Sequence, residues 1–248
     1  AQSGTVDWGF SLDNALTQYL SAGETVTVIY SITVTDDSGV TSPDLPNEIN
    51  ARTQDVTITI TGTNDAPSIT VGSGDTDSDA LTETDAGLTS SGTLTVADVD
   101  LTNTVAAEVL SVTTADTVTG LLSDNSALKA MMSVTPATPD DVLSSTEVSD
   151  QLSWAFASGS EAFDYLATGE DLTLTYTIRV TDSSGATADK DVTITITGTN
   201  DAPVITDGPD SVARDETDAG LTASGTLTVG DVDTTDVVTA TRTLSVSG

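Results

Sequence analysis

The residues of this 248-residue chain that could do chemistry are almost all carboxylates. Asp and Glu number 39 against 6 Lys and Arg, the formal charge is −33, and there is no histidine or cysteine. Those two absences remove the usual general base, thiol chemistry, disulfides and the common ligands of zinc, copper and iron–sulfur centres. Oxygen chemistry remains, with two competing uses. One is a carboxylate pair that hydrolyses glycosides. The other is a group of oxygens around a hard cation such as calcium, which takes about six to eight of them at roughly 2.3 to 2.6 Å. Among so many acids some pair lies at a catalytic spacing by accident, and no cleft-forming insertion singles one out, so no enzyme is expected. The cation reading has definite residues behind it: Asn64-Asp65, Asp98-Val99-Asp100, Asp182-Ser183-Ser184-Gly185, Asn200-Asp201 and Asp231-Val232-Asp233. Asp75, Asp77 and Asp79 alternate as at the start of an EF-hand loop, but Ala80 and Ala86 stand where that loop needs Gly and Glu. Gly72-Ser73-Gly74 lacks the further glycine, lysine and helix of a phosphate-binding loop.

The elements that must position these acids are marked by repetition. Asp55 to Pro67 reads DVTITITGTNDAP and recurs unchanged from Asp191 to Pro203. Glu83 to Asp100 recurs from Glu216 to Asp233, differing only at Ser90/Ala223 and Ala97/Gly230. Trp8, Phe10, Tyr19, Gly23 and Glu24 align with Trp154, Phe156, Tyr165, Gly169 and Glu170. The order of the blocks divides the chain into the end of one repeat (1–66), a complete repeat (67–202) and the beginning of a third (203–248). The chain, opening on Ala1, is expected to be an excerpt of something longer. The first repeat carries an extra stretch around Ser42-Pro43-Asp44-Leu45-Pro46-Asn47, read as a surface loop.

Inside the repeat, Leu172, Leu174, Tyr176, Ile178 and Val180 alternate with polar residues, as do Val192, Ile194 and Ile196 after the Asp182–Gly185 turn. That is a hairpin with one buried face, its wet face lined by threonine, which is β-branched yet polar. Leu94-Val96 and Leu227-Val229 mark an earlier strand, and Ser126 to Met132 one short helix. Trp154, Phe156 and Phe163 are expected in the core. Short strands and turns over such a repeat imply an all-β fold of tandem Greek-key, immunoglobulin- or cadherin-like β-sandwiches, with one short helix per repeat.

That topology places the acids. In an immunoglobulin-like sandwich the loop after the second strand and the loop of the last hairpin lie where the chain enters, and the last strand delivers the chain to the opposite end. Asp98, Asp100 and Asp182 should therefore meet Asn64 and Asp65 of the incoming linker, while Asn200 and Asp201 meet Asp231 and Asp233. Such clusters repel themselves unless a cation occupies them, and calcium suits their hard oxygens.

The quoted blocks resemble the VCBS-type, cadherin-like repeat of giant RTX adhesins. The likeness runs through "GTLTV-DVD", "W-F…FDYLA-GE" and "VTITITGTNDAP", and covers the complete repeat and both partial ones. It implies a type I secreted protein at the bacterial cell surface, outside the cell, with many modules in series and calcium at their joints, serving adhesion and biofilm formation. It adds two ligands at the second joint. Glu83 enters if ETDAG plays the cadherin "E-N-x-x-G" part, and Asp164 if FDYL plays "LDRE". The chain departs from the cadherin pattern at Gly62 and Gly198, where the linker's leading Asp would stand, and at Gln18, which aligns with Asp164.

The reading is thus a stalk segment whose partners are adjacent repeats of the same chain. The strongly negative charge opposes nucleic acid, and no apolar run is long enough for membrane insertion. The alternative is a filament or surface-layer subunit whose like chains complete one another by strand complementation. Residues 1–66 hold late strands and residues 203–248 early ones. Against it, residue 1 aligns near Glu147 and residue 248 near Ala115, so such a hybrid would lack the stretch between.

Overall fold

In the computed structural model, residues 4–35, 51–208 and 211–246 are described, so the loop expected around Ser42 to Asn47 lies outside the described residues. The strands are β1 (Thr25–Thr35), β2 (Ala51–Thr61), β3 (Ser68–Thr70), β4 (Ser78–Thr82), β5 (Thr89–Ala97), β6 (Val105–Asp116), β7 (Met132–Thr135), β8 (Asp141–Leu143), β9 (Ser149–Ala157), β10 (Asp171–Asp182), β11 (Thr187–Thr197), β12 (Val204–Asp207) and β13 (Thr228–Gly230). One α-helix, α1 (Asn125–Ala130), precedes β7. Its first turn is capped by Asp124, whose carboxylate accepts the Ala127 N–H at 2.8 Å. Among the described residues no helix is long and apolar enough to cross a membrane.

Strands β3 to β11 build one sandwich. A five-stranded sheet runs β4-β11-β10-β6-β8 and faces a four-stranded sheet ordered β3-β5-β9-β7. β10 and β11 alternate strictly because Leu172, Leu174, Tyr176, Ile178, Val180, Val192, Ile194 and Ile196 all turn into the core. Leu94, Val96, Leu152, Trp154 and Phe156 enter it from the opposite sheet, and Phe163 is buried with them. At roughly 1.5 to 3 kcal/mol for each large apolar side chain removed from water, this shared layer is the main stabilising term. Two polar tips inside it are satisfied: the Trp154 indole donates to the Thr76 carbonyl at 2.8 Å, and the Tyr176 hydroxyl to that of Leu128 at 2.9 Å. The fold is all-β and of the immunoglobulin-like sandwich class, as the alternation predicts.

The remaining strands form two small sheets, β1-β2 and β12-β13, both antiparallel. The chain passes from β2 through Gly62–Pro67 into β3, and from β11 through Gly198–Pro203 into β12. These two linkers lie at opposite ends of β10 and β11.

Candidate cation sites at the two linkers

The first linker lies against two loops of the sandwich. The β5–β6 loop holds Asp98, Asp100 and Asn103, and the β10–β11 turn holds Asp182. Asn64 donates its amide to Asp182 Oδ2 at 2.9 Å, and the Asp65 N–H donates to Asp100 Oδ2 at 2.9 Å. Asp98 turns the β5–β6 loop back on itself by accepting the Asp100 N–H at 3.0 Å. Asp182 does the same for its own turn, accepting the Ser184 and Ala186 N–H groups at 2.9 and 2.8 Å. Asn64, Asp65, Asp98, Asp100 and Asp182 are therefore brought together. Asn103 was not foreseen. Buried at the centre, it donates to Asn64 Oδ1 at 2.8 Å and to Asp100 Oδ2 at 3.3 Å. Its signal was available: Asp236 holds the same place after Asp233.

The second linker meets a different set. The Asp201 N–H donates to Asp233 Oδ2 at 2.8 Å, and the Asp233 N–H to Asp231 Oδ1 at 3.2 Å. Buried Glu83, one residue beyond β4, accepts the Thr199 N–H at 2.9 Å and its hydroxyl at 2.7 Å. Carboxylate oxygens of Glu83, Asp85 and Asp201 lie within 4.8 Å of one another, a group that could hold a metal ion. Asp85 had no place in the cadherin-style motif and was missed. Asp164 follows Phe163, a buried aromatic held at a φ of 66°, a left-handed backbone that such a residue rarely adopts. Charges of Glu83, Asp85 and Glu161 act on Asp164, which places it beside the group. Asn200 stands apart, its amide donating to the carbonyl of its neighbour Asp201.

The two linkers share one hydrogen-bond pattern. The Gly62 N–H donates to Glu24 and the Gly198 N–H to Glu170, both at the backbone oxygen and both at 2.8 Å. The Leu101 N–H meets the Tyr19 carbonyl and the Thr234 N–H that of Tyr165, both at 3.3 Å. The repeat therefore extends from sequence blocks to the contacts between neighbouring sheets. Gly62 and Gly198 have a steric reason. A Cβ at Gly62 would collide with the Leu20 and Ser21 carbonyl oxygens, and one at Gly198 with those of Leu166 and Ala167. An Asp cannot stand there as it would in a cadherin linker.

Electrostatics marks the same places. Among the described residues, six buried side-chain oxygens lack a hydrogen-bond partner: Glu83 Oε1, Asp98 Oδ2, Asp100 Oδ1, Asp164 Oδ1, Asp201 Oδ2 and Asp233 Oδ1. All six belong to these two clusters. Burial pushes the Asp98 carboxyl above the ordinary range. The Asp100 N–H opposes that shift, and the charges of Asp100, Asp182 and Asp65 add to it. Asp100 is raised by burial and then by Asp65, Asp182 and Glu24. Burial likewise raises Asp201, reinforced by Glu83, Asp233, Asp164 and Asp85. Two unit charges about 5 Å apart repel by roughly 3 kcal/mol at an effective dielectric of about 20, so a cation would relieve a real cost.

The third acidic stretch behaves oppositely. Asp75 is held below the ordinary range by the Thr93 and Thr95 hydroxyls, and it also accepts the Gly72 N–H and the Gln151 amide. Asp77 pairs with Lys190 at 2.6 Å, and Asp79 accepts the Ser90 hydroxyl. These three acids point to three separate partners and form no cation cage.

No protein-family description matches the chain, and no curated protein does. Among solved structures the chain is similar to the ASH/PapD-like domain 7 of human CEP192, at 13% identity over 54% of this chain and 86% of that one, with a TM-score of 0.33. It is also similar to the CooA pilin subunit of enterotoxigenic Escherichia coli, at 15% identity over 56% of this chain and 100% of that one, with a TM-score of 0.36. The chain's own sheets place it as an all-β protein of immunoglobulin-like sandwich fold, with an acidic cluster at each of two linkers.

Proposed function

We propose that this chain is a spacer segment of a large bacterial cell-surface adhesin, a stalk of successive sandwich units at 1–66, 67–202 and 203–248 that calcium stiffens at the linkers. The observation that carries the reading is that, among the described residues, the orphaned buried carboxylate oxygens are confined to the two linkers, where the same backbone contacts recur. At the first linker Asp65, Asp98, Asp100 and Asp182 would hold the ion with Asn64 and Asn103. At the second, Glu83, Asp85, Asp164, Asp201 and Asp233 would do so, with Asp231 orienting Asp233 and Asn200 alongside. Oxygens within 4.8 Å of one another suit the cation, since ligands on opposite sides of a calcium ion stand about 4.6 to 5.2 Å apart. The bound ion would supply positive charge that both neighbouring units share. Each linker would then lose its freedom to bend, and ion binding would add to stability. The extracellular setting provides calcium, and the −33 charge suits a solvated stalk rather than a nucleic-acid or anionic-membrane partner. No catalytic role is part of this reading.

Small-angle scattering and thermal melting in millimolar calcium and in chelator test it. Calcium is expected to raise the melting temperature and give a longer, stiffer particle. Scattering and melting that ignore chelation would sink the proposal.

A further inference from the structure

One contact between successive units involves no cation ligand. After the second Asp of each Asp-Val-Asp loop, the next N–H reaches back to a tyrosine carbonyl of the preceding unit, Leu101 to Tyr19 and Thr234 to Tyr165, both at 3.3 Å. Each tyrosine opens a corner that its own unit holds in shape. The Glu24 carboxylate accepts the Ser21 N–H at 3.0 Å, and that of Glu170 accepts the Ala167 N–H at 3.1 Å. The same two corners receive the linkers, through the Gly62 and Gly198 N–H groups. At the second linker the Tyr165 hydroxyl also donates to the Thr117 carbonyl at 3.0 Å. Tyr165 is thus held by its side chain in one unit while its backbone oxygen takes hold of the next.

A hydroxyl reinforces this contact at both linkers, and from different residues. At the first, the Ser21 and Thr102 hydroxyls share a hydrogen bond at 2.7 Å, and Ser21 is buried. At the second, Ala167 and Thr235 stand at those positions. There the Thr234 hydroxyl lies 3.2 Å from the Tyr165 carbonyl and 3.3 Å from that of Thr119. Gly120 permits the close approach. Its φ is 102°, and a Cβ there would lie 2.8 Å from Tyr165 Cδ2 and 2.9 Å from Thr234 Cγ2. We propose that these contacts are a metal-independent latch that seats each unit on the one before it. The latched loop carries Asp98 and Asp100 at the first linker, and Asp231 and Asp233 at the second. Seating it holds those acids beside Asp65 or Asp201 against their mutual repulsion before any cation arrives. The joint is then preorganised, and an ion binds without having to order two units. The inference rests on the reading of the chain as successive units, but the latch itself needs no calcium.

Amide hydrogen exchange of the 248-residue chain in chelator, read residue by residue by NMR, is the test. The Leu101 and Thr234 N–H groups bond to another unit. The Asn103 and Asp236 N–H groups close turns on the Asp100 and Asp233 carbonyls within the same loops, and so report on each loop alone. The latch is expected to slow exchange at Leu101 and Thr234 by at least about tenfold relative to the unfolded chain. Thr102→Val should lower the protection of Leu101, and Thr234→Val that of residue 234, each by about fivefold, the size of one ordinary hydrogen bond. Asn103 and Asp236 should not change. Free exchange of Leu101 and Thr234 in chelator overturns the latch, and if calcium then restores protection the calcium reading stands without it. Protection that is the same in chelator and in millimolar calcium supports the latch and counts against calcium instead. Protection that both variants leave intact also overturns the proposal.

Discussion

Asp100→Asn should change the sign of its effect when calcium is added. Asp100 is fully enclosed. Its Oδ2 receives the Asp65 N–H at 2.9 Å and the Asn103 amide at 3.3 Å, and its Oδ1 receives nothing. Without a cation its charge is a liability, first through burial and then through Asp65, Asp182 and Glu24. Asparagine keeps the size and one accepting oxygen while removing the charge. In chelator the variant should therefore be more stable by about 1 kcal/mol, a screened fraction of the roughly 3 kcal/mol by which two like charges about 5 Å apart repel at an effective dielectric of about 20. In calcium the balance reverses. An ion at about a hundred times its dissociation constant adds roughly 2.7 kcal/mol to the wild-type protein, and the variant, short of a charged ligand, forfeits most of that. The swing between conditions is then about 3 to 4 kcal/mol, and for a sandwich of this size each kcal/mol moves Tm by about 3 to 5 °C. Calorimetry of both proteins in chelator and in millimolar calcium reads it directly. The same sign and size of difference in the two buffers would refute the reasoning.

Two further outcomes follow from the same clusters. In chelator, Asp98, Asp100, Asp164 and Asp201 have folded-state pKa values raised above the unfolded ones, so the folded state holds their protons more tightly and stability falls as pH rises through that window. Melting temperature should climb as the metal-free protein is acidified from neutrality into the window. It should drop again below the ordinary carboxylate range, where Asp75, Asp77 and Asp189, whose values are lowered, lose their charge. In saturating calcium the climb should vanish, because protons compete with the ion; a climb that persists there would count against the clusters as cation sites. Gly198→Ala would drive a Cβ into the Leu166 and Ala167 carbonyls, so the linker must shift. A loss of about 1 to 3 kcal/mol and weaker calcium binding, measured by titration calorimetry, are expected, whereas unaltered affinity would show that the linker path does not shape the site.

Much of this was legible because period and repetition are local properties of the chain. The two-residue alternation from Leu172 to Val180 needs only one wet face and one dry face, and it names β10 without any knowledge of partners. The helix read at Ser126 to Met132 falls at Asn125–Ala130, displaced only at its ends. The meeting of Asn64 and Asp65 with the β5–β6 and β10–β11 loops followed from topology. What escaped depends on three-dimensional neighbours. Asp85 becomes notable only beside Asp201, which lies far along the chain. Asn103 carries no charge and sits in a loop where polar residues are ordinary. β4 is a short strand with a mixed pattern, and its parallel partner β11 is remote in sequence. The role of Gly62 and Gly198 lies in the carbonyls that crowd them, which no motif displays.

The parallel pairing of β4 with β11 bears on how the sandwich meets mechanical load. The chain enters before β3 and leaves after β11, so pulling on the two linkers draws β4 and β11 in opposite directions along their common axis. Five register pairs, from Ser78 with Thr193 to Thr82 with Thr197, tie them together. Their hydrogen bonds run across the direction of pull and must yield in shear, several at once, instead of opening one after another like a zip. The short strand that the sequence hid most completely is thus the clasp between the two ends of the module.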